Sequence, residues 1–248
     1  MTRPPAILLF GLWLAAYSVD IAAQDTSGQL WGTLTLGFPR AERYLFEVEF
    51  EPRVQVTGRD DWWSVDTTPA FEVSLNRWIE FVAQTYVSRT AQSSAVTSVE
   101  VTPRAGFRFH VLNNLLTMLP GTHPLGRVGF SSLSRIEWRN LSYSDDTPAT
   151  HDSRFRNRFE VKAGVNHGDM ALDRTIYLTA DFEIFVPLSG DSPERFATKR
   201  RTRAGLGYRK DRKWRYELFY IHDATRETEE ERFAPAANIV DFKVKVFF

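Results

Sequence analysis

Hydrophobic and polar residues alternate along the stretch from Asn238 to Phe248. Apolar side chains occupy the even positions Val240, Phe242, Val244, Val246 and Phe248, and polar ones occupy Asp241, Lys243 and Lys245. A period of two places the two sets on opposite faces of a β-strand, whereas a helix would spread both sets around its surface. The pattern therefore predicts an amphipathic strand.

The same alternation recurs from Leu30 onward and indicates an all-β protein with eleven strand-like stretches. These cover residues 30–38, 43–56, 65–75, 78–89, 95–111, 127–141, 154–165, 175–188, 195–208, 214–224 and 238–248. Val82 and Tyr86 break the alternation in the fourth stretch, and the insert 112–126 is irregular, with a helical turn predicted in NNLLTML.

Alternation alone does not say which face is inside, because a lipocalin-like barrel has the same pattern with its apolar face inward. The stretches last roughly 10 to 15 residues, as in tilted membrane strands, whereas soluble strands average about 5 to 6. Short connections also alternate along the chain with longer polar ones, as in outer-membrane barrels.

Aromatic residues gather near the strand ends, as expected at two membrane interfaces. The short-turn set comprises Tyr44, Tyr208, Trp214 and Phe248, and the long-loop set comprises Trp62, Trp63, Trp138, Tyr143 and Tyr220. We therefore expect a transmembrane antiparallel up-and-down β-barrel over residues 24–248, with its apolar faces in lipid. Bacterial single-chain barrels have even strand numbers, so ten or twelve strands are expected, and twelve is favoured.

Residues 1–23 have the features of a cleavable signal helix. Arg3 supplies the charge, residues 6–16 a short apolar core, and Ile21-Ala22-Ala23 a small-residue cleavage site. An N-terminal membrane anchor is the alternative, but the apolar core is too short to span a bilayer. The expected location is the outer membrane of a Gram-negative cell.

Composition excludes several classes of site. The chain has no cysteine, so disulfides and thiolate metal sites are excluded. Lys plus Arg and Asp plus Glu each number 31, and this balance gives no reason to expect a nucleic-acid partner. We predict no cofactor.

The polar faces predict a lumen that is segregated by charge, with acidic residues on strands two to four and arginines on strands five to nine. The predicted charge network comprises Glu47, Glu49, Glu51, Arg53, Glu72, Arg104, Arg108, Arg135, Glu137, Arg139, Arg154, Arg156, Arg158, Glu160, Arg201 and Arg203. Glu47, Glu49 and Glu51 are expected to face Arg154, Arg156 and Arg158 across the lumen. Such a network would either plug a structural barrel or border a narrow pore that favours small anions.

Five segments resemble the domain-of-unknown-function 2490 family, whose members are predicted bacterial outer-membrane barrels. They are EFEPR (49–53), SRIEWRN (134–140), RFRNRFE (154–160), DFEIFVPL (181–188) and RAGLGYR (203–209). The family brings no catalytic residues. The terminal Phe248 also resembles the assembly signal of outer-membrane barrels, which implies insertion into outer-membrane lipid by the barrel-assembly machinery. We expect a monomer.

A lipid hydrolase or acyltransferase is the alternative from another functional class. It requires a serine oriented by a histidine at the outer rim. The candidates near the long loops are Ser142, Ser144, Ser153, His151 and His222, and their spacing is not diagnostic. The chain is therefore predicted to be non-enzymatic.

Overall fold

The computed structural model describes residues 26–58, 61–92, 96–111, 127–167, 169–189, 197–226 and 233–248. The predicted signal segment 1–23 and the irregular insert 112–126 lie outside these residues. Within the described residues, no helix has the length and apolar character needed to cross a bilayer.

Eleven strands form one closed barrel. They are β1 (Ser27–Arg40), β2 (Tyr44–Thr57), β3 (Trp62–Ser74), β4 (Ile79–Gln92), β5 (Thr97–His110), β6 (Val128–Tyr143), β7 (Thr150–Gly164), β8 (Thr175–Pro187), β9 (Lys199–Arg209), β10 (Trp214–Thr225) and β11 (Ala234–Phe247). Each of the eleven alternating stretches in the sequence corresponds to one strand, so the all-β prediction is confirmed.

The expectation of ten or twelve strands, with twelve favoured, is wrong. Consecutive strands pair antiparallel, but β1 and β11 pair parallel, in a register that places Leu30 beside Val240 and Leu36 beside Val246. An odd number of alternating strands leaves the first and last pointing the same way. A parallel ladder still joins their backbone groups, so the sheet closes without a free edge.

The apolar faces point away from the lumen, as the lengths and connections of the strands predicted. Phe46, Phe50 and Phe159 are 44%, 45% and 40% exposed on the outer surface. Glu49 and Arg156, on the alternate positions of the same strands, line an internal cavity. Period-two alternation explains this division, because neighbouring side chains of a strand point to opposite faces of the sheet.

The break in alternation in β4 reflects inward-facing apolar side chains. Val82 is buried at 2% exposure, and the Tyr86 hydroxyl donates a hydrogen bond to Asp66 Oδ2 at 2.9 Å. Both residues occupy positions that face the lumen, so β4 keeps the period of two while its inner face becomes partly apolar.

The turns β3–β4 and β9–β10 share a side-chain cap. The backbone N–H groups of Trp78 and Ile79 donate to Asn76 Oδ1, and those of Lys213 and Trp214 donate to Asp211 Oδ1 at 2.8 and 2.9 Å. These two backbone donors lower the pKa of Asp211. An Asn or Asp at this position therefore stabilises a tight reversal.

Two glycines let aromatic rings lie flat against the inner wall. A Cβ added at Gly37 would lie 2.6 Å from Phe247 Cδ1, and one added at Gly207 would overlap the Tyr177 ring. The Tyr177 hydroxyl donates to Glu217 Oε1 at 2.6 Å. The close approach at Gly207 thus sets the position of a buried hydrogen bond.

Candidate pore and charged lumen

The lumen contains a cavity of about 690 Å³ that is lined mainly by ionisable side chains. Fifteen of the sixteen residues of the predicted charge network line it: Glu47, Glu49, Glu51, Arg53, Glu72, Arg104, Arg108, Arg135, Arg139, Arg154, Arg156, Arg158, Glu160, Arg201 and Arg203. The remaining residue, Glu137, is fully buried at 0% exposure and lies behind the arginines that it contacts.

Glu49 and Glu51 of β2 find their partners on their own strand or on strands close by. Glu51 pairs with Arg53 of its own strand, whose Nε donates at 2.6 Å, and accepts a hydrogen bond from Thr33 at 2.8 Å. Lys243 Nζ on β11 reaches Glu49 Oε2 at 3.0 Å, past the intervening β1. Closure through β1 and β11 brings Lys243 to this wall, so Glu49 pairs with a cation two strands away and not with one across the lumen.

Arg108 on β5 connects two carboxylates of the acidic wall. Its Nη1 and Nη2 atoms donate to both oxygens of Glu72, at 2.7 and 2.8 Å, and Nη1 also donates to Glu80 at 2.8 Å. Both hydrogen bonds to Glu72 use the two terminal nitrogens of one guanidinium, a bidentate arrangement typical of strong Arg–carboxylate pairs. The Arg108 guanidinium is therefore hydrogen-bonded to carboxylates on two strands, β3 and β4.

Four arginines surround Glu137 on β6, and we call this group the Glu137 arginine cluster. Arg154 Nε lies 2.6 Å from Glu137 Oε2, Arg135 Nε 2.9 Å from Oε1, Arg156 Nη1 3.3 Å from Oε1, and Arg104 Nε 3.4 Å from Oε1. One buried carboxylate thus holds guanidinium groups from three strands, β5, β6 and β7.

Glu183 on β8 is the centre of a second group of arginines. Its carboxylate contacts Arg156 at 2.5 Å, Arg203 at 3.5 Å and Arg158 at 3.8 Å, and it is 1% exposed. Arg203 also donates to Asp181 at 2.8 Å. The guanidinium of Arg156 therefore bridges this centre and the Glu137 arginine cluster.

Arg154, Arg156 and Arg158 consequently pair with Glu137 and Glu183 of the adjacent strands. The expected direct pairing of these arginines with Glu47, Glu49 and Glu51 is not what the structure shows. The register places acidic residues of β6 and β8 beside β7, so the arginines find carboxylates within their own wall.

An apolar cluster on β1, β10 and β11 lies on the inner side of the barrel wall, towards the long loops. It consists of Trp31, Phe219, Ile221, Ala237 and Ile239. The guanidinium carbons of Arg53 and Arg201 lie 4.0 and 5.1 Å from the Trp31 ring centroid, which places the indole between two cations. Arg201 also forms a pair of hydrogen bonds with Asp223, at 2.6 and 2.7 Å.

Charges near both ends of the cavity are paired as well. Arg139 donates to Glu100 at 3.0 and 3.2 Å towards the long loops, and towards the short turns Lys162 lies 3.1 Å from Glu160. Both pairs join residues close to one another on the wall.

Residues 28–234 match a family described as "Protein of unknown function (DUF2490)". The chain belongs to this family. The match extends from β1 to the start of β11, so it covers most of the DUF2490 barrel, and it confirms the resemblance seen in the sequence. No curated protein shows significant similarity to the chain.

In this DUF2490 barrel, every ion pair between described residues joins one strand to itself, to its neighbour or to the next strand but one. The charges therefore stabilise the wall and leave the cavity between them. Sequence reasoning left several network members out of its site: Asp181, Glu183, Asp223, Glu217, Lys243 and Lys245. Their signal was the alternation itself, because all of them stand on the polar faces of predicted strands.

The serines and histidines proposed for the enzymatic alternative make other contacts. Ser142 Oγ donates to the Val99 carbonyl at 3.4 Å, and Ser144 Oγ accepts from the Thr97 backbone at 2.8 Å. His151 Nδ1 lies 2.9 Å from Asn140 Oδ1. Of the other candidates, Ser153 contacts Ser189 and His222 contacts Asn238. These contacts give no support to a Ser–His pair.

Phe248, the predicted assembly signal, lies on the outer surface beside the closing seam. Its ring stacks on Phe38 with centroids 5.2 Å apart, and its backbone N–H donates to the Gly37 carbonyl at 3.0 Å. The side chain is 61% exposed, so it presents an apolar surface at the short-turn rim.

Proposed function

We propose that this chain is an integral outer-membrane β-barrel whose lumen forms a narrow pore for small polar solutes, with a preference for anions. The observation that carries the proposal is the division of each strand into an outward apolar face and an inward ionic face that borders a cavity. A structural function without transport is the second candidate, because the bulky apolar cluster around Trp31 occupies space towards the long loops.

The outer surface supports a location in lipid. The strands contain 11 to 16 residues, enough to cross a bilayer at the usual tilt. Apolar side chains such as Leu206 and Phe242, each 51% exposed, would form a large hydrophobic surface in water. Trp63, Trp138 and Tyr220, near the long loops, are exposed by 47 to 49% and form part of an outward aromatic band.

The width of the barrel supports a narrow passage. Eleven strands spaced about 4.8 Å apart and tilted by about 40° give a backbone diameter of roughly 22 Å. Eight strands leave room for little beyond side chains, and sixteen to eighteen leave an aqueous channel. An intermediate width with wall-bound ion pairs fits a cavity of about 690 Å³.

The proposal includes the cellular context expected from the sequence. The chain is exported through a signal at residues 1–23, inserted by the barrel-assembly machinery and retained as a monomer in the outer membrane. It acts without a cofactor or a catalytic residue. The exposed Phe248 ring at the short-turn rim supports recognition during assembly.

Conductance of the refolded protein in planar bilayers tests the pore. We expect discrete channels whose reversal potential in a salt gradient indicates anion preference. Replacing Glu47, Glu49 and Glu51 by Lys would increase that preference, because it adds positive charge to the acidic wall. Glu47→Lys alone is the milder variant, since this carboxylate lines the cavity without an ion pair to a described residue.

Folding is checked in the same samples by heat-modifiable gel mobility. If folded protein produced no ion current across the bilayer, this result would contradict the pore proposal and favour the structural candidate. Unchanged selectivity after reversal of all three glutamates would show that the acidic wall does not act on permeating ions. Phospholipid turnover that depends on Ser142, Ser144 or His151 would instead support an enzyme.

A further inference from the structure

The Glu137 arginine cluster has more positive charge than its carboxylate can neutralise. Arg104, Arg135, Arg154 and Arg156 all line the cavity, whereas Glu137, the carboxylate they share, is completely buried. A solute in the cavity therefore meets guanidinium groups first, with the compensating negative charge behind them. The second carboxylate that touches the cluster is also buried and is shared with two further arginines outside it.

The cluster also contains hydrogen-bond donors that no described residue satisfies. Arg104 Nε and Arg156 Nε are buried and make no hydrogen bond with any described residue. The Arg104 side chain is only 10% exposed, and its contacts in the described part of the chain are the ion pair with Glu137 and the ring of Tyr86, 4.3 Å away. A buried guanidinium with so few hydrogen bonds is unusual, because buried polar groups are normally paired.

Arg108, in the same lumen, is an arginine that donates several hydrogen bonds to carboxylates of the protein. It makes three hydrogen bonds to two carboxylates at 2.7 to 2.8 Å, one on the adjacent strand β4 and one on β3. Arg104 differs from Arg108 because its buried Nε has no hydrogen-bond partner among the described residues. The Arg108 site is completed by the protein, whereas the Glu137 arginine cluster contains two Nε donors that the described residues leave without a hydrogen bond.

We propose that the Glu137 arginine cluster binds a compact oxyanion of the phosphate type, either free or as the terminal group of a small solute. Guanidinium groups recognise phosphate through paired N–H donors, and a divalent oxyanion would offset most of the surplus charge. This inference rests on the proposed function and deepens it, because it names the class of solute that the pore holds. Binding at the cluster would concentrate such anions in the cavity.

Thermal unfolding of the refolded full chain in detergent tests the site with inorganic phosphate as the probe. Phosphate is compared with chloride at equal ionic strength, so that general screening is held constant. We expect phosphate to raise the unfolding midpoint in a saturable way. Arg104→Gln would weaken the apparent phosphate affinity about ten-fold, which corresponds to about 1.4 kcal/mol.

Arg209→Gln provides a matched control, because it removes the same charge from another inward-facing arginine. Arg209 lies at the short-turn end, and its nearest hydrogen-bond partner is the Met170 carbonyl at 3.4 Å. Phe185 pairs with Arg156 on one side and with Lys199 on the other, so Lys199 marks the position of Arg156 on β9. Arg209 follows Lys199 by ten residues, which is roughly 30 Å along the strand. The control is therefore expected to leave phosphate affinity within about two-fold of the wild type.

The outcomes separate this inference from the pore itself. Equal midpoints in phosphate and chloride, measured on the unmodified protein, would overturn the oxyanion site even if neither variant folds. An equal loss of affinity in Arg104→Gln and Arg209→Gln would also overturn it, because only the overall field would matter. Phosphate binding by a protein with silent bilayers would support the site while refuting the pore.

Discussion

Replacing Glu137 by Gln tests whether one buried carboxylate holds the arginine wall together. Glu137 has no exposed surface, and its oxygens accept hydrogen bonds from Arg154 Nε at 2.6 Å, Arg135 Nε at 2.9 Å and Arg156 Nη1 at 3.3 Å. Glutamine keeps the shape of the side chain but removes the charge. The variant therefore leaves four guanidinium groups close together without their shared counter-ion.

The expected loss of stability follows from these contacts. Removing one partner of a buried ion pair costs about 3–5 kcal/mol, because the remaining charge stays buried and uncompensated. Three hydrogen bonds to a charged group at about 1.5–3 kcal/mol each would give a larger sum, but the amide oxygen of glutamine still accepts some of them. We therefore expect the free energy of unfolding to fall by about 3–5 kcal/mol.

Equilibrium unfolding in guanidinium, followed by tryptophan fluorescence in detergent micelles, measures this loss. Glu160→Gln is the matched control, since the Glu160 side chain is 22% exposed and its one ion pair with a described residue is that with Lys162 at 3.1 Å. A partly exposed single pair of this kind is worth less than about 1 kcal/mol. A loss for Glu137→Gln no larger than that of the control would refute the central role of Glu137.

Three further changes test other parts of the barrel. Phe46→Ser removes an outward ring that is 44% exposed. We expect this variant to reduce the yield of the heat-modifiable folded form in lipid vesicles more than it changes conductance. Normal insertion of the variant would count against a lipid-facing position for Phe46. Gly207→Ala would displace the Tyr177 ring and lower the unfolding free energy by about 1–3 kcal/mol, whereas Gly32→Ala, whose new Cβ would meet its nearest atom at 4.0 Å, is the tolerated control. The pKa of Asp211 is lowered in the folded state, so its carboxylate stabilises the turn above its unfolded pKa of about 4, and this contribution is lost as the pH falls through the folded pKa. The stability advantage of wild type over Asp211→Ala is therefore expected at pH 7 and should vanish in strong acid; a constant difference across this range would contradict the explanation.

The set of side chains that points outward from each strand could be predicted, because a strand with a period of two has only two possible orientations in the barrel wall. Phe46 and Glu49 illustrate this, since their opposite parity assigns one to the outer surface and the other to the lumen. The lengths of the strands and of their connections then decided between the orientations. Local pattern was sufficient because the facing of a residue depends only on its own strand.

The partner of each charge could not be predicted, because it depends on register and on closure. The sequence predicted that Glu49 would face arginines across the lumen. Lys243, nearly two hundred positions later, becomes its partner through the parallel pairing of β1 with β11. The sequence contains eleven alternating stretches, which would have predicted this parallel pairing. The expectation of an even strand number for bacterial barrels led to a different prediction.

Glu137 shows a second limit of the same reasoning. Its position on a polar face placed it in the lumen, but alternation does not distinguish a side chain that borders the cavity from one covered by its neighbours. The arginines of adjacent strands converge on Glu137 only when the strands are in register.

The parallel seam also gives the polypeptide a direction through the barrel. Both β1 and β11 start at the long-loop rim and finish at the short-turn rim. In the outer-membrane location proposed above, a peptide fused ahead of Ser27 and another fused after Phe248 would be displayed in different compartments, and two such epitopes on one molecule would reveal its orientation in an intact cell.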